Sequence, residues 1–272
     1  MNYRHAFHAG NFADILKHAA ILMTLSALQA RQPRLTVIDT HAGSGVYDLR
    51  GPAARKSNEA QAGVLRLMAG PAPAALEPLK RQVAALNEGG ETVLYPGSPR
   101  LVADALRPAD RYVGFELQPD EHRRLRENLA GRRNLDMRLG DGFAEASARI
   151  PTDAGALLLI DPPFEKADDY GRIVETVAAA LARSPASTAL VWLPLKDLET
   201  FDAFLRDLED AVEAPVLVAE TRLRPLDDPM KMNGCAVVLL NPPAGLEAPL
   251  ADVAAWVSGA GEGGAGRVWR ID

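Results

Sequence analysis

Residues 156–164 read ALLLIDPPF, a short apolar run that stops at an acid, two prolines and an aromatic residue. A continuous apolar run of this length is typical of a β-strand that is buried on both faces, as in a parallel sheet. Pro162 and Pro163 have fixed φ angles, so the turn that follows the run is rigid. This stretch therefore predicts a central parallel strand with a rigid polar turn at its carboxyl end.

Six other runs rich in Val, Ile and Leu alternate with helical patterns along the chain, which is typical of a parallel sheet covered by helices. The runs are residues 34–40, 111–116, 135–139, 188–193, 216–223 and 235–240, and the helical patterns are residues 120–129, 168–182 and 195–208. The last two runs are only about ten residues apart, too close for a parallel crossover, so they should form an antiparallel hairpin. The pattern predicts an α/β fold with a seven-stranded sheet whose last strand is antiparallel.

Two regions lie outside this alternation. One precedes the first strand, and we expect a helix there over residues 11–30. The other, residues 47–106, separates the first two strands and is rich in Ala, Leu and Pro with helical spacing. We therefore predict a main domain of residues 1–46 and 107–272 with an inserted small helical subdomain at residues 47–106. The glycine-rich segment at residues 259–266 is expected to be mobile.

The composition is that of a soluble globular protein: 272 residues, of which 47% are hydrophobic and 24% charged. A single cysteine, Cys235, excludes an internal disulfide and a cysteine-based metal cluster. Because no apolar run reaches about 18 residues and no secretory leader is visible, we expect a cytoplasmic protein. The net charge of −6 argues against a surface coated with positive charge, so a nucleic acid would have to meet a local basic patch.

Acidic residues follow four of the predicted strands in succession. They are Asp39, Glu116, Asp141 and Asp161. Because open α/β sheets bind ligands at the carboxyl ends of their strands, we expect these acids to share one site. The loop at residues 43–45, Gly-Ser-Gly, is only part of a dinucleotide fingerprint, and an acid precedes it where a phosphate would be repelled. The acids suit a ligand with cationic groups and ribose hydroxyls, such as S-adenosylmethionine, and favour a methyltransferase over an NAD enzyme.

The turn at residues 161–164 carries a candidate catalytic motif, Asp-Pro-Pro-Phe. The exocyclic amine of adenine is a poor nucleophile because its lone pair is delocalised into the ring. The Asp161 carboxylate and the Pro162 carbonyl can each accept one hydrogen from this amine, which localises the lone pair. Phe164 offers a ring on which an extruded base can stack. A second turn, Asn-Pro-Pro-Ala at residues 241–244, lacks the aromatic residue and is interpreted as a structural turn.

These motifs resemble those of amino-methyltransferases that act on adenine N6 or, less often, on guanine N2. More narrowly, residues 3–18, YRHAFHAGNFADILKH, closely resemble the N-terminus of the RlmJ-type bacterial enzymes, and residues 39–43, 95–99 and 161–164 also match. The resemblance spans nearly the whole chain, with one departure at Phe164, where the family usually has Tyr. It implies a Rossmann-like methyltransferase fold. It also implies S-adenosyl-L-methionine-dependent methylation of adenine N6 in protein-free 23S ribosomal RNA, in rRNA processing, by a monomer without an obligate protein partner.

The resemblance also implies roles for individual residues. The cofactor is expected to contact His18, His41, Ser98, Glu116, Asp141, Gly142 and Asp161. Catalysis is expected of Asp161, with Pro162 and Phe164 as the carbonyl acceptor and the stacking ring. Tyr3 is expected to touch the RNA, and the charged cluster around it adds Arg4, His5, His8 and Lys17 as RNA contacts. Further basic patches that could bind RNA are Arg50, Arg55 and Lys56; Arg222, Arg224 and Lys231; and Arg123, Arg124, Arg126, Arg132 and Arg133.

Other functions stay open at this point. RNA guanine-N2 methylation is the main alternative, and adenine methylation in DNA is less favoured because no separate target-recognition domain is visible. Four of the five histidines lie within the first 41 residues, and His5, His8, Asp14 and His18 could be ligands of a metal-dependent hydrolase, such as a nuclease linked to DNA catabolism. That hypothesis leaves the motif at residues 161–164 unexplained. A non-enzymatic RNA-binding module would leave the strand-end acids unexplained.

Overall fold

The computed structural model describes residues 5–226 and 232–271. Its strands are β1 (Thr36–Asp39), β2 (Val46–Asp48), β3 (Leu94–Pro96), β4 (Arg111–Glu116), β5 (Leu135–Leu139), β6 (Ala156–Ile160), β7 (Thr188–Leu195), β8 (Val216–Arg222), β9 (Gly234–Leu240) and β10 (Ala265–Ile271). Its helices are α1 (Phe12–Arg31), α2 (Pro52–Ser57), α3 (Val64–Ala69), α4 (Glu77–Leu86), α5 (Ser98–Ala105), α6 (Pro119–Asn128), α7 (Gly142–Glu145), α8 (Asp169–Arg183), α9 (Leu198–Ala211) and α10 (Glu247–Ser258). No helix in these two ranges combines the length and the apolar character needed to cross a membrane.

The main sheet of the described residues has eight strands in the order β10-β8-β9-β7-β6-β1-β4-β5. The five strands from β7 to β5 run parallel, whereas β9 runs antiparallel to both β7 and β8. The predicted α/β class, the parallel centre and the antiparallel hairpin are therefore confirmed. Because β1 pairs with β4 on one side and with β6 on the other, the chain direction across the sheet reverses at β1, where such folds bind ligands.

The alternation of side chains along β6 explains why the whole run at residues 156–160 is apolar. Leu157 and Leu159 point into the core on one face of the sheet, and Leu158 and Ile160 point into the core on the other. Successive side chains of a strand alternate between faces, so a strand covered on both sides needs an apolar residue at every position. The helices α8 and α9 supply the cover on the second face.

On the first face, the cover comes from α1, α10 and the region between β1 and β4. Asn11 caps α1 by accepting a hydrogen bond from the backbone N–H of Asp14. Val64 and Leu79, from α3 and α4, are fully buried in the same core as α1. The guanidinium of Arg66 also lies 3.9 Å from the ring centroid of Trp256 in α10. Residues 47–106 hold the helices that their apolar spacing predicts, and their description as a separate subdomain stays a prediction.

The segment after α10 differs from its prediction. The sequence analysis counted seven strands and expected residues 259–266 to be mobile, whereas residues 265–271 form an eighth strand, β10, antiparallel to β8. The glycines in this segment allow close packing. A Cβ at Gly264 would lie 2.1 Å from the Ser258 carbonyl oxygen, and one at Gly266 would lie 2.5 Å from the Ala254 carbonyl carbon. Glycine is therefore needed where β10 runs against the backbone of α10.

Candidate active site

A cleft opens at the carboxyl edge of the parallel strands and encloses about 1090 Å³, including its solvent-open mouth. This volume is enough for a nucleoside-sized ligand. The cleft is lined by nine of the residues predicted from the sequence: His5, Lys17, His18, His41, Ser98, Glu116, Asp141, Gly142 and Asp161. Pro162 and Phe164 are not among the lining residues, although their neighbours Asp161 and Pro163 are, and Tyr3 and Arg4 lie outside the described residues.

The loop after β1 shapes one wall of the cleft. Gly43 has a φ of +64°, and a Cβ at this position would lie 2.2 Å from the hydroxyl of Tyr47, so only glycine fits. The Gly43 N–H donates to Glu116 Oε2 at 2.9 Å, and the Gln118 N–H donates to Oε1 at 2.7 Å. These two bonds fix the carboxylate of Glu116 at the edge of the cleft, and burial raises its pKa.

Asp141 follows β5 and caps α7 by accepting a hydrogen bond from the Phe143 N–H at 3.0 Å. Its other oxygen accepts from Arg172 Nη2 at 2.6 Å, and the Arg172 guanidinium lies 4.4 Å from the centroid of the Phe143 ring. Burial acts to raise the pKa of Asp141, but the hydrogen bond from Arg172 brings the pKa below its ordinary value. Arg172 comes from α8, and no local sequence signal linked it to this site.

Lys17 reaches the site from α1. Its ammonium donates to Asp161 Oδ2 at 2.6 Å and lies 2.8 Å from Asp14 Oδ1. Burial acts to lower the pKa of Lys17, but the two carboxylates raise it well above its ordinary value, so the side chain stays charged. Lys17 is predicted from the sequence to be an RNA-contacting cation; in the structure its side chain is 6% exposed and paired with the carboxylate of Asp161.

Two of the histidines that line the cleft, His18 and His41, are held neutral. Burial lowers the pKa of His18 to about 3 and that of His41 to about 4. His18 Nδ1 lies 2.8 Å from the hydroxyl of Tyr95, and His41 Nδ1 lies 2.7 Å from that of Thr40. Uncharged imidazoles leave the carboxylates as the dominant charges around the cleft.

The residues that could be metal ligands, His5, His8, Asp14 and His18, do not converge on one point as the ligands of a metal ion would. His8 Nδ1 lies 2.9 Å from Glu59 Oε2, and Asp14 is bonded to the ammonium of Lys17. Across residues 5–226 and 232–271, no group of three or more His, Cys, Asp or Glu side chains is spaced to hold a metal ion.

The two Pro-Pro turns each follow a strand, β6 or β9. Because these two strands run in opposite directions, the turns lie at opposite ends of the strands of the sheet. Phe164 has a φ of +51°, and its ring centroid lies 5.1 Å from that of Tyr170 and 5.8 Å from that of Trp192. Asn241, in the second turn, donates its side-chain amide to the Pro185 and Ser187 carbonyls, each at 3.0 Å. The structure thus agrees with the interpretation of the second turn as structural.

Asp39 lies beneath the cleft. It is 1% exposed and accepts hydrogen bonds from Ser98 Oγ at 2.8 Å, the Tyr112 hydroxyl at 3.1 Å and the His41 N–H at 3.2 Å. Burial raises the pKa of Asp39 from 3.8 to about 6 in spite of these bonds. The acid that ends β1 therefore holds the residues of the cleft wall, whereas the other three strand-end acids face the cleft itself.

We expect Asp39→Asn to stabilise the protein at alkaline pH. A folded-state pKa above the ordinary value favours folding when the group is protonated, and this contribution is lost as the pH rises through about 6. A rise of this size corresponds to about 3 kcal/mol, an upper limit because the amide replaces only some of the hydrogen bonds. Urea unfolding at pH 8 should show the gain, and at pH 4 the gain should disappear. Asp141→Asn is the matched control and should lose stability at pH 8; a destabilised Asp39→Asn at pH 8 would contradict the prediction.

Comparisons with known proteins agree on one family. The family model described as ribosomal RNA large subunit methyltransferase D, RlmJ, matches residues 32–271. The ribosomal RNA large subunit methyltransferase J of Haemophilus influenzae is 31% identical over 256 residues, covering 93% of this chain and 91% of that protein. The Escherichia coli protein of the same name is 31% identical over 259 residues, with coverages of 94% and 92%. The crystal structure of protein LPL1258 from Legionella pneumophila has a TM-score of 0.86 at 25% identity and covers 96% of this chain and 98% of that one.

Proposed function

Because this chain belongs to the RlmJ family of ribosomal RNA large subunit methyltransferases, we propose that it methylates N6 of an adenine in 23S ribosomal RNA, using S-adenosyl-L-methionine. We further propose that the substrate is RNA free of ribosomal proteins. The observation that carries the proposal is the position of Asp161 on the wall of the cleft, after the strand next to the switch point, in a rigid Pro-Pro turn that precedes an aromatic ring. Those are the groups that an adenine amine requires.

The residues of the cleft fit S-adenosyl-L-methionine. Glu116 would accept from the ribose hydroxyls, Asp141 would accept from the adenine amine, and the wall formed by His18, His41 and Ser98 would complete the pocket. Both histidines are uncharged, so they would not repel a cationic ligand. At Gly142 a Cβ would lie 2.1 Å from the Thr40 carbonyl oxygen, so only glycine allows the start of α7 to pack against the β1 loop at the wall of the pocket. When bound, the cofactor supplies an electrophilic methyl group on a sulfonium.

On this proposal, the protein activates the amine through hydrogen bonds that localise its lone pair. Asp161 Oδ2 accepts a hydrogen bond from Lys17, so the carboxylate is fixed in place and its remaining lone pairs can accept from the amine. The Pro162 carbonyl accepts the second amine hydrogen. Asp161 also receives the proton that the amine releases on methylation. Phe164 offers its ring to the extruded base, in place of its contact with Trp192.

The arrangement of exposed cations favours one of the predicted RNA-binding patches, Arg50, Arg55 and Lys56. These side chains are exposed, and α2 packs against a short 3₁₀ helix at His5–Phe7 beside the cleft. Among the described residues, none of the three forms an ion pair. By contrast, Arg123 and Arg124 on α6 pair with acids of their own helix. Arg222 pairs with Glu220, and Lys231 lies outside the described residues.

Removal of the positive charges of Arg50, Arg55 and Lys56 should therefore weaken RNA binding. We expect the triple variant Arg50→Ala, Arg55→Ala, Lys56→Ala to reduce the slope of log affinity against log salt by about two, because each phosphate contact contributes roughly 0.7 to 0.9. Filter binding of 23S RNA over a salt series measures this slope. The matched control is Arg123→Ala with Arg124→Ala, which should leave the slope unchanged. The reverse result would move the RNA surface to α6.

The proposed function is tested by methyl transfer from labelled S-adenosyl-L-methionine. The acceptors are deproteinised 23S RNA and the assembled large subunit, and the products are identified by mass spectrometry of nucleosides. We expect N6-methyladenosine, formed faster on the deproteinised RNA. N2-methylguanosine would instead support the guanine alternative, and the absence of a methylated nucleoside on either substrate would contradict the proposal.

A further inference from the structure

One buried carboxylate joins the N-terminal segment to the catalytic turn. Asp14 Oδ2 accepts a hydrogen bond from the Gly10 N–H at 2.8 Å and lies 3.1 Å from His5 Nε2. The other oxygen, Oδ1, lies 2.8 Å from the ammonium of Lys17, which donates to Asp161 at 2.6 Å. The Asp14 side chain is only 3% exposed. Its two oxygens therefore hold two different parts of the site.

The N-cap of α1 is formed by another side chain. Asn11 already caps the helix by accepting from the Asp14 N–H at 3.0 Å. The charge of Asp14 instead balances Lys17, a buried cation that otherwise has only Asp161 as its anionic partner in the contacts described. A buried carboxylate costs free energy unless it is paired and hydrogen-bonded, so its position in contact with both groups points to a role in the site.

We propose that Asp14 is a positioning residue that couples the N-terminal segment, residues 5–10, to the catalytic carboxylate of Asp161 through Lys17. The catalytic part of this inference rests on the proposed function. His5 lines the cleft, and its ring lies 4.8 Å from that of Tyr47 in the cleft wall. When residues 5–10 are seated, Asp14 is fixed, and the ammonium of Lys17 is held at the position that orients Asp161.

The first test is Asp14→Asn. An amide has one accepting oxygen, so it can serve Lys17 or the Gly10 N–H, but not both. We expect the single-turnover rate at saturating cofactor and RNA to fall about 100-fold, the loss that a small displacement of a catalytic group causes. The affinity for S-adenosyl-L-methionine should change little. Asp110→Asn is the matched control, because Asp110 is 1% exposed and paired with Arg107 at the other edge of the sheet, and it should keep the wild-type rate.

A double-mutant cycle separates coupling from simple loss of structure. His5 and Lys17 hold different oxygens of Asp14, so His5→Ala and Lys17→Met should be coupled in the wild-type background, with a combined rate loss smaller than the product of the single losses. In the Asp14→Asn background the two losses should multiply. Multiplicative losses in both backgrounds would overturn the proposal. The wild-type half of the cycle needs no change at Asp14, so it remains decisive if Asp14→Asn does not fold.

Hydrogen exchange tests the structural half without any methyl acceptor. We expect the amides of residues 5–10 to exchange faster in both Asp14→Asn and Lys17→Met, and at the wild-type rate in Asp110→Asn. If the wild-type protein methylates no RNA, the proposed function fails while this experiment still decides whether the segment is coupled to Lys17. Wild-type exchange at residues 5–10 in both variants would overturn the coupling, whatever the activity.

Discussion

Asp161→Ala should lower the methyl-transfer rate by about 10²- to 10⁴-fold, the range for removal of a group that directly assists proton transfer. The alanine can neither orient the amine nor take its proton, and the ammonium of Lys17 keeps Asp14 as its remaining partner. The free energy of unfolding should change little because Asp161 is part-exposed at the mouth of the cleft. Single-turnover kinetics and urea unfolding give the two quantities.

The matched control for this variant is Asp168→Ala. Asp168 is an exposed acid in the same connection between β6 and α8, and its side chain makes no capping hydrogen bond. We expect the wild-type rate from it. An Asp161→Ala protein that is folded and retains most of its activity would remove Asp161 from the catalytic role.

Lys17→Met should impair both activity and stability. The methionine fills a similar volume but leaves Asp161 without its fixed donor and Asp14 without its cation. Loss of one partner of a buried ion pair costs about 3 to 5 kcal/mol, so we expect a loss of that order in the free energy of unfolding at pH 8. The single-turnover rate should fall about 100-fold, since Asp161 would no longer be held in place.

The stability loss in Lys17→Met should depend on pH in a defined direction. In the wild type, burial acts to raise the pKa of Asp14, but Lys17 brings the pKa well below its ordinary value. The ionised carboxylate therefore stabilises the fold above about pH 4, and this contribution is lost at lower pH. In the variant, burial acts on Asp14 without the compensating cation, so ionisation of this carboxylate destabilises the fold at pH 8. That cost disappears as the carboxylate is protonated at lower pH, so the difference between the two proteins should shrink as the pH falls towards 3.5. Urea unfolding at pH 8 and pH 3.5 measures this, and Lys17→Arg, which keeps a cation, should lose less. A difference that is constant with pH would contradict the assignment.

Most of the parallel sheet could be predicted because its signal is local. An inner strand that is covered on both faces, such as the one at residues 156–160, is apolar at every position. The acid that belongs to the site follows directly after such a strand in the sequence, so both can be recognised together. The eighth strand gave no such signal, because β10 lies at the exposed edge and follows glycines that resemble a flexible tail. Its glycines are explained only by the backbone of α10, which the sequence does not place beside them.

The contacts that organise the site could not be predicted because their partners are far apart in sequence. Lys17 and Asp161 are separated by 144 positions, and Arg172 and Asp141 by 31. The sequence showed Lys17 only as a cation near other cations, and Asp14 only as a histidine-flanked acid that could bind a metal. The pairing of α1 with the β6 turn gives both residues a different role, which depends on the tertiary fold.

The position of α1 in the chain also affects how the protein is made. Most of the 20 residues of this helix are buried, and they pack against β9 and α10, which are synthesised more than about 200 residues later. At usual translation rates the helix leaves the ribosome roughly 10 to 50 s before α10 does. During that interval the helix lacks the part of its native cover that β9 and α10 supply. We therefore expect nascent chains to be most prone to aggregation before residue 258 emerges, and α1 to reach its final packing only after that point.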